Sequence, residues 1–182
     1  LIQWDLDGSH IGSGRKHLQY SSFSFDSSLH DILFAFSGGG SICLTPAEIR
    51  KDFRALENLI LNEKIEVLSL PYAAVLNFFA QYDAGRFSSH SLKSIISTGE
   101  QLMITDEIED FLNKNPLVEL HNHYGPSETH VVTGHWMSSD KNNIEKRSSI
   151  GKVLPNTSIY ILNEELNPCL LYTSDAADEE DS

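Results

Sequence analysis

Leu92-Lys93-Ser94-Ile95-Ile96-Ser97-Thr98-Gly99 is followed closely by Asp106-Glu107-Ile108-Glu109-Asp110-Phe111-Leu112-Asn113 and then by Leu117-Val118-Glu119-Leu120-His121-Asn122. The first stretch is a short apolar run stopped by Thr98-Gly99, which predicts a strand over 92–97. The second carries its acids in the first turn, where the helix dipole favours them, and predicts a helix over 106–113. The third predicts a strand over 117–122, stopped by Tyr124-Gly125-Pro126. Strand, helix and strand at this spacing imply a parallel pair joined by a right-handed crossover.

The same alternation extends towards the N-terminus. Strands are expected over 17–22, 41–44 and 65–70, the last stopped by Pro71. Helices are expected over 27–36 and 73–82. In the first of these, Leu29, Ile32, Leu33 and Phe36 recur at three- and four-residue spacing, and Gly38-Gly39-Gly40 ends it. Thr45-Pro46-Ala47-Glu48 has the form of a helix start, with Thr45 as cap, Pro46 in the first position and Glu48 completing a capping box. That helix should run to about residue 62, with Phe53, Leu56, Leu59 and Ile60 on one face. A late strand is expected over 159–162. The fold class is therefore α/β, an open and mostly parallel sheet with covering helices. Ligands of such sheets bind beyond the carboxyl ends of the strands. Here those ends are Phe25-Asp26, Ser69-Leu70-Pro71, Thr98-Gly99-Glu100 and residues 122–128.

The chain has 182 residues, 40% hydrophobic and 21% charged, enough for one globular core. Its net charge of −13 argues against a nucleic-acid partner, because there is no basic stripe to meet phosphates. No apolar run is long enough to span a bilayer, and no signal peptide is visible. Two cysteines, Cys43 and Cys169, cannot build a disulfide framework, so a reducing cytoplasm is the expected location. The chain does not begin with Met, and we read it as an internal piece of a longer protein.

The strand ends also carry motifs. Ser24-Phe25-Asp26-Ser27-Ser28 resembles the Phe-Asp-x-Ser segment of nonribosomal peptide synthetase adenylation domains, members of the AMP-dependent synthetase and ligase superfamily. Asn122-His123-Tyr124-Gly125-Pro126-Ser127-Glu128 resembles their Asn-x-Tyr-Gly-Pro-Thr-Glu motif. Thr98-Gly99-Glu100-Gln101-Leu102 is similar to the glycine turn between these two. Gly151-Lys152-Val153-Leu154-Pro155-Asn156 is similar to their Gly-x-Pro-x-x-Asn segment, with Leu154 as a departure. The resemblance covers residues 1–168, with four motifs in order.

The resemblance implies an amino-acid-activating enzyme. Such an enzyme forms aminoacyl-AMP and pyrophosphate from ATP and an amino acid, with Mg²⁺, and loads the product onto the phosphopantetheine thiol of a carrier domain. Carrier and condensation domains of the same synthetase are then the implied partners. Asp26 would pair with the substrate ammonium; on the residues alone it is equally a helix cap. Tyr124 would stack on adenine and Asn122 would hydrogen-bond its edge. Gly99, Glu100 and Gly125 would complete the nucleotide site, Ser127 would contact phosphate, and Glu128 would hold Mg²⁺. Phe25, Ser27, His30, Ser69, Ile96, Thr98, His123, Val131 and Val132 would line the amino-acid pocket. His123 with Val131 and Val132 is similar to proline-type pockets, but the other positions depart from them, so no amino acid is assigned. His121, His123, His130 and His135 crowd one region without zinc-finger spacing, and His30 and His123 are read as pocket walls.

By the same resemblance, the phosphate-binding loop should lie upstream of residue 1. The ribose-binding Asp and the catalytic Lys should lie downstream, so no catalytic residue is assigned and the piece alone is expected to be inactive. Residues 169–182 break the pattern and are similar to a translated sequencing adapter, outside the fold. Two other functions compete: an acyl-CoA synthetase or fatty-acyl-AMP ligase of the same superfamily, and a non-catalytic nucleotide-binding piece. The carboxylate of Asp26 favours an amino acid over a fatty acid.

Overall fold

The apolar runs lie side by side in one seven-stranded sheet of order β2-β1-β3-β4-β5-β6-β7. The computed structural model describes residues 1–8, 13–82, 85, 87, 89–137 and 145–169. The strands are β1 (Lys16–Gln19), β2 (Ser41–Leu44), β3 (Val67–Pro71), β4 (Ser94–Thr98), β5 (Glu119–Tyr124), β6 (Thr133–Met137) and β7 (Lys152–Val153). The first five are mutually parallel. β6 and β7 then add antiparallel at the β5 edge. The helices are α1 (Ile2–Gly8), α2 (Asp26–Ser37), α3 (Phe53–Glu63), α4 (Tyr72–Ala80) and α5 (Asp106–Lys114). This is the open, mostly parallel α/β sheet that the sequence predicts.

Strand register sorts the side chains onto two faces. Leu18, Leu68, Ile95 and Leu120 stand abreast across β1, β3, β4 and β5. They form one large cluster with Leu56 and Ile60 of α3, Val75 and Phe79 of α4, and Ile108 and Phe111 of α5. Because side chains alternate along a strand, the neighbours of these residues point the other way. On that second face Val67 and Ile96 meet Phe34 of α2, with Ile2 and Leu6 of α1 packed against them.

Three local expectations need correction, and the facing of α2 adds a finding of its own. The helix expected from Thr45 begins at Phe53 instead. Residues 47–49 make only a 3₁₀ turn, and Asp52 is the cap, accepting the Ala55 N–H at 3.0 Å. Thr45 is buried, and its hydroxyl has no hydrogen-bond partner among the described residues. The strand expected over 159–162 is absent. Ile159, Tyr160, Ile161 and Leu162 are exposed, with a single bridge from Leu162 to Pro168. The strand expected over 17–22 ends at Gln19. The apolar stripe of α2 faces outward: Leu29, Leu33 and Phe36 are exposed, whereas Ser28, His30, Asp31 and Phe34 are buried. Residues 170–182, which hold nearly all of the expected foreign tail, lie outside the described residues. Among the described residues, no helix is long and apolar enough to cross a membrane.

Candidate functional site

A cavity of about 430 Å³ opens where the parallel strands end. Each wall comes from the segment that follows one strand. Tyr20, Ser21 and Ser22 follow β1; Pro71 ends β3; Thr98 and Gly99 end β4; Gly125 and Ser127 follow β5. Phe25, Asp26 and Ser27, at the start of α2, also line it, as do Arg50 and Lys51. His130 and Val131 close it. Gly125 must be glycine, because a Cβ there would collide with the His130 carbonyl. The close approach folds the loop after β5 back over the cavity.

Asp26 is the first residue of α2, and Phe25 is the cap position. Its carboxylate is exposed on the cavity wall and accepts the Ser27 N–H at 2.8 Å. A negative charge at a helix start is favoured by the dipole. Tyr20, also in the lining, donates its hydroxyl hydrogen to the Arg50 carbonyl at 2.7 Å, which anchors the segment holding Arg50 and Lys51. The cavity lining thus holds an anion, Asp26, and two cations, Arg50 and Lys51. The guanidinium Nε of Arg50 is buried and has no hydrogen-bond partner among the described residues.

The expected site residues do not all come together. Phe25, Asp26, Ser27, Thr98, Gly99, Gly125, Ser127 and Val131 line this cavity. Ser69, Ile96, Thr98 and His123 share one face of the sheet through the register Ser69↔Ile96 and Thr98↔His123. Ser69, Ile96, His30 and His123 are buried there, against α1 and α2, and are not in the cavity wall. Val132 is half-buried. Tyr124, Glu100 and Glu128 are exposed and are not in the cavity wall. Asn122 is buried on the opposite face, and its amide donates to the Ser149 carbonyl at 2.9 Å, so it ties β5 to the segment before β7.

The α1 and α2 face is unusually polar for a protein interior. Asp5 of α1 and His30 of α2 meet at 2.7 Å, and both are buried. His123 of β5 lies 3.6 Å from the other Asp5 oxygen. Trp4 stacks on Trp136 of β6, at 4.7 Å between ring centroids, and also packs against His123. Gly134 makes room for it, since a Cβ there would strike the Trp4 ring. Burial pushes His123 down to about 3 and His17 down to about 4, and it lowers His130 as well. Burial raises Asp31 to about 7, against the opposing effects of His30 and a hydrogen bond with Ser69. Asp5, Arg50 and Lys51 were not found from the sequence. No turn or motif marks Asp5, and Arg50-Lys51 lies inside what reads as an uninterrupted helix.

An open, mostly parallel sheet with a charged cavity at its strand ends has the form of α/β proteins whose ligands sit beyond the carboxyl ends of the strands. The chain belongs to the AMP-binding enzyme family, whose model matches residues 3–171. It is 38% identical over 166 residues to tyrocidine synthase 2 of Brevibacillus parabrevis, covering 91% of this chain and 5% of that protein. It is also 38% identical over 166 residues to gramicidin S synthase 2 of Brevibacillus brevis, covering 91% of this chain and 4% of that protein. The chain therefore corresponds to a small part of those synthases. The crystal structure of IdnL1 superposes with a TM-score of 0.80 at 16% identity, over 92% of this chain and 34% of that one, and shows the fold.

Proposed function

We propose that this chain is the part of an amino-acid adenylating enzyme that holds the amino acid and one side of the nucleotide. The observation that carries this reading is the presence of both charge signs in the lining of the strand-end cavity: Asp26 together with Arg50 and Lys51. A zwitterionic amino acid needs an anion for its ammonium, and the phosphates of ATP need cations. In the reaction, a carboxylate oxygen of the amino acid bonds to the α-phosphorus. The bond from that phosphorus to the bridging oxygen breaks, and pyrophosphate leaves. The aminoacyl group then passes to a carrier-domain phosphopantetheine thiol, releasing AMP.

Asp26 orients the amino acid through its ammonium. Phe25, Ser27, Thr98 and Val131 shape the space beside it. Ser127 and Gly99 offer a hydroxyl and open backbone to the nucleotide, and Tyr124 offers an exposed ring. Glu128 is exposed on the same loop, in keeping with a magnesium ion that takes one or two carboxylates and fills its other positions with phosphate and water. Mg²⁺ would neutralise phosphate charge there.

The test is amino-acid-dependent pyrophosphate exchange by the complete domain carrying Asp26→Ala. The KM for the amino acid should rise by about two orders of magnitude, as expected when an ion pair worth roughly 3 kcal/mol loses one partner. The KM for ATP should stay close to wild type. An unchanged amino-acid KM in a folded variant would overturn the assignment of Asp26 and the amino-acid reading with it.

A further inference from the structure

Asp5 of α1 is not in the cavity wall, yet it meets two residues that adjoin that wall. Thr98 lines the cavity and stands beside His123 in the register of β4 and β5. His130 also lines the cavity, and its ring centroid lies 5.5 Å from that of His30. Asp5 reaches both His30 and His123. We propose that Asp5 is a positioning residue for amino-acid selection: it fixes which ring nitrogen of His30 and of His123 carries hydrogen, and so sets the hydrogen-bonding pattern that the amino-acid side chain meets. The inference rests on the adenylation reading, with His30 and His123 as walls of the amino-acid pocket.

The geometry at His30 is direct. Its Nε2 lies 2.7 Å from one Asp5 oxygen, and both residues are buried. A carboxylate only accepts, so Nε2 carries the hydrogen of that bond. The other Asp5 oxygen lies 3.6 Å from the Nε2 of His123. That is longer than a hydrogen bond, and this nitrogen has no partner among the described residues. Burial pushes His123 down to about 3, so its ring is neutral and holds a single hydrogen. With the hydrogen on Nε2, the ring and the Asp5 oxygen attract. With it on Nδ1, a lone pair on Nε2 would face the same oxygen and be repelled. Asp5 therefore favours hydrogen on Nε2 in both rings.

The surroundings keep the rings from turning to compensate. His30 stacks on Phe34, and Trp4 packs against His123. A buried acid stands behind another expected wall as well: Ser69 hydrogen-bonds to Asp31. Asp5→Asn isolates the effect of the acid. Asparagine keeps the shape of Asp5 but presents one acceptor and one donor in place of two acceptors, so one of the two rings must move its hydrogen to Nδ1.

The test is pyrophosphate exchange by the complete domain, wild type and Asp5→Asn, over a panel of amino acids. The ratio of kcat/KM between the preferred amino acid and the next best should change by about tenfold or more, because a displaced hydrogen leaves a buried group unpaired. The KM for ATP should stay close to wild type. A purely structural Asp5 predicts a lower melting temperature with all amino acids affected in the same proportion. That result, or an unchanged ratio in a folded variant, would overturn the inference and leave the adenylation reading intact. Wild type that exchanges with no amino acid would overturn both. If Asp5→Asn does not fold, neutron diffraction from wild-type crystals decides. Hydrogen on Nε2 of both His30 and His123 supports the inference, and its absence from either rejects it.

Discussion

The two faces of the sheet are built to different rules. The face under α3, α4 and α5 is a continuous apolar cluster, with Leu56, Ile60, Phe87, Ile95 and Phe111 fully buried. The face under α1 and α2 has Phe34, Val67 and Ile96 as its buried apolar residues, beside Asp5, His17, His30, Asp31 and His123. Both are equally shut off from water, so the contrast lies in chemistry rather than burial. An apolar face gains from every atom it hides. A polar one must find a partner for each group or bear the cost. One face therefore carries stability, and the other carries ionisable groups that a protein would otherwise have replaced with leucine.

The largest effect should come from the apolar face. Phe111→Ala empties a site ringed by Phe79, Tyr82, Phe87 and His90 and should cost about 3–5 kcal/mol, read by urea unfolding. A cost below about 1 kcal/mol would mean that the two faces share the load.

The polar face should reveal itself through pH. The folded protein holds His17 near 4, against an ordinary 6.5, so the unfolded chain takes up the proton first. Stability present above pH 6.5 is then lost as the pH falls towards 4. His17→Asn should reduce that acid-side loss by up to about 3 kcal/mol, since each pKa unit is worth about 1.4 kcal/mol. Denaturant curves for the two proteins at neutral and mildly acidic pH measure the difference; parallel pH profiles would show that His17 titrates normally.

The smallest effect compares two polar residues at the start of the apolar face. Asp52→Ala removes the α3 cap and should cost about 1 kcal/mol. Thr45→Ala should cost much less, because its buried hydroxyl bonds to nothing described. Thermal melts that rank the two the other way would restore the longer helix read from the sequence.

That helix shows where sequence reading reached its limit. Thr45-Pro46-Ala47-Glu48 satisfies every local rule for a helix start, yet Asp52 takes the role. Local rules cannot tell which of two nearby starts lets Phe53, Leu56 and Ile60 reach the sheet. Strands β3, β4 and β5 were legible because both their faces are covered, leaving short apolar runs punctuated by Pro71, Gly99 and Gly125. β6 was missed: Thr133-Gly134-His135-Trp136-Met137 has little strand character, and Gly134 is there for Trp4. α2 was found, but its apolar stripe points outward and its polar residues inward. Periodicity locates a helix without saying which side is covered. Asp26 and the turns around the cavity were legible through their motifs. Asp5 was not, because its partners lie at residues 30 and 123 and only the folded sheet brings them together.

The contact between Trp4 and Trp136 also governs the order in which the molecule can be completed during synthesis. Of the described elements α1 is made first, but the strand it rests on is among the last of them to emerge. Until then the indole of Trp4 lacks the ring it stacks on, and the parallel strands between them pair only across long loops. A ribosome that stalls before residue 133 would leave behind a nearly whole sheet with an unseated first helix and a bare fifth strand, a natural substrate for chaperones.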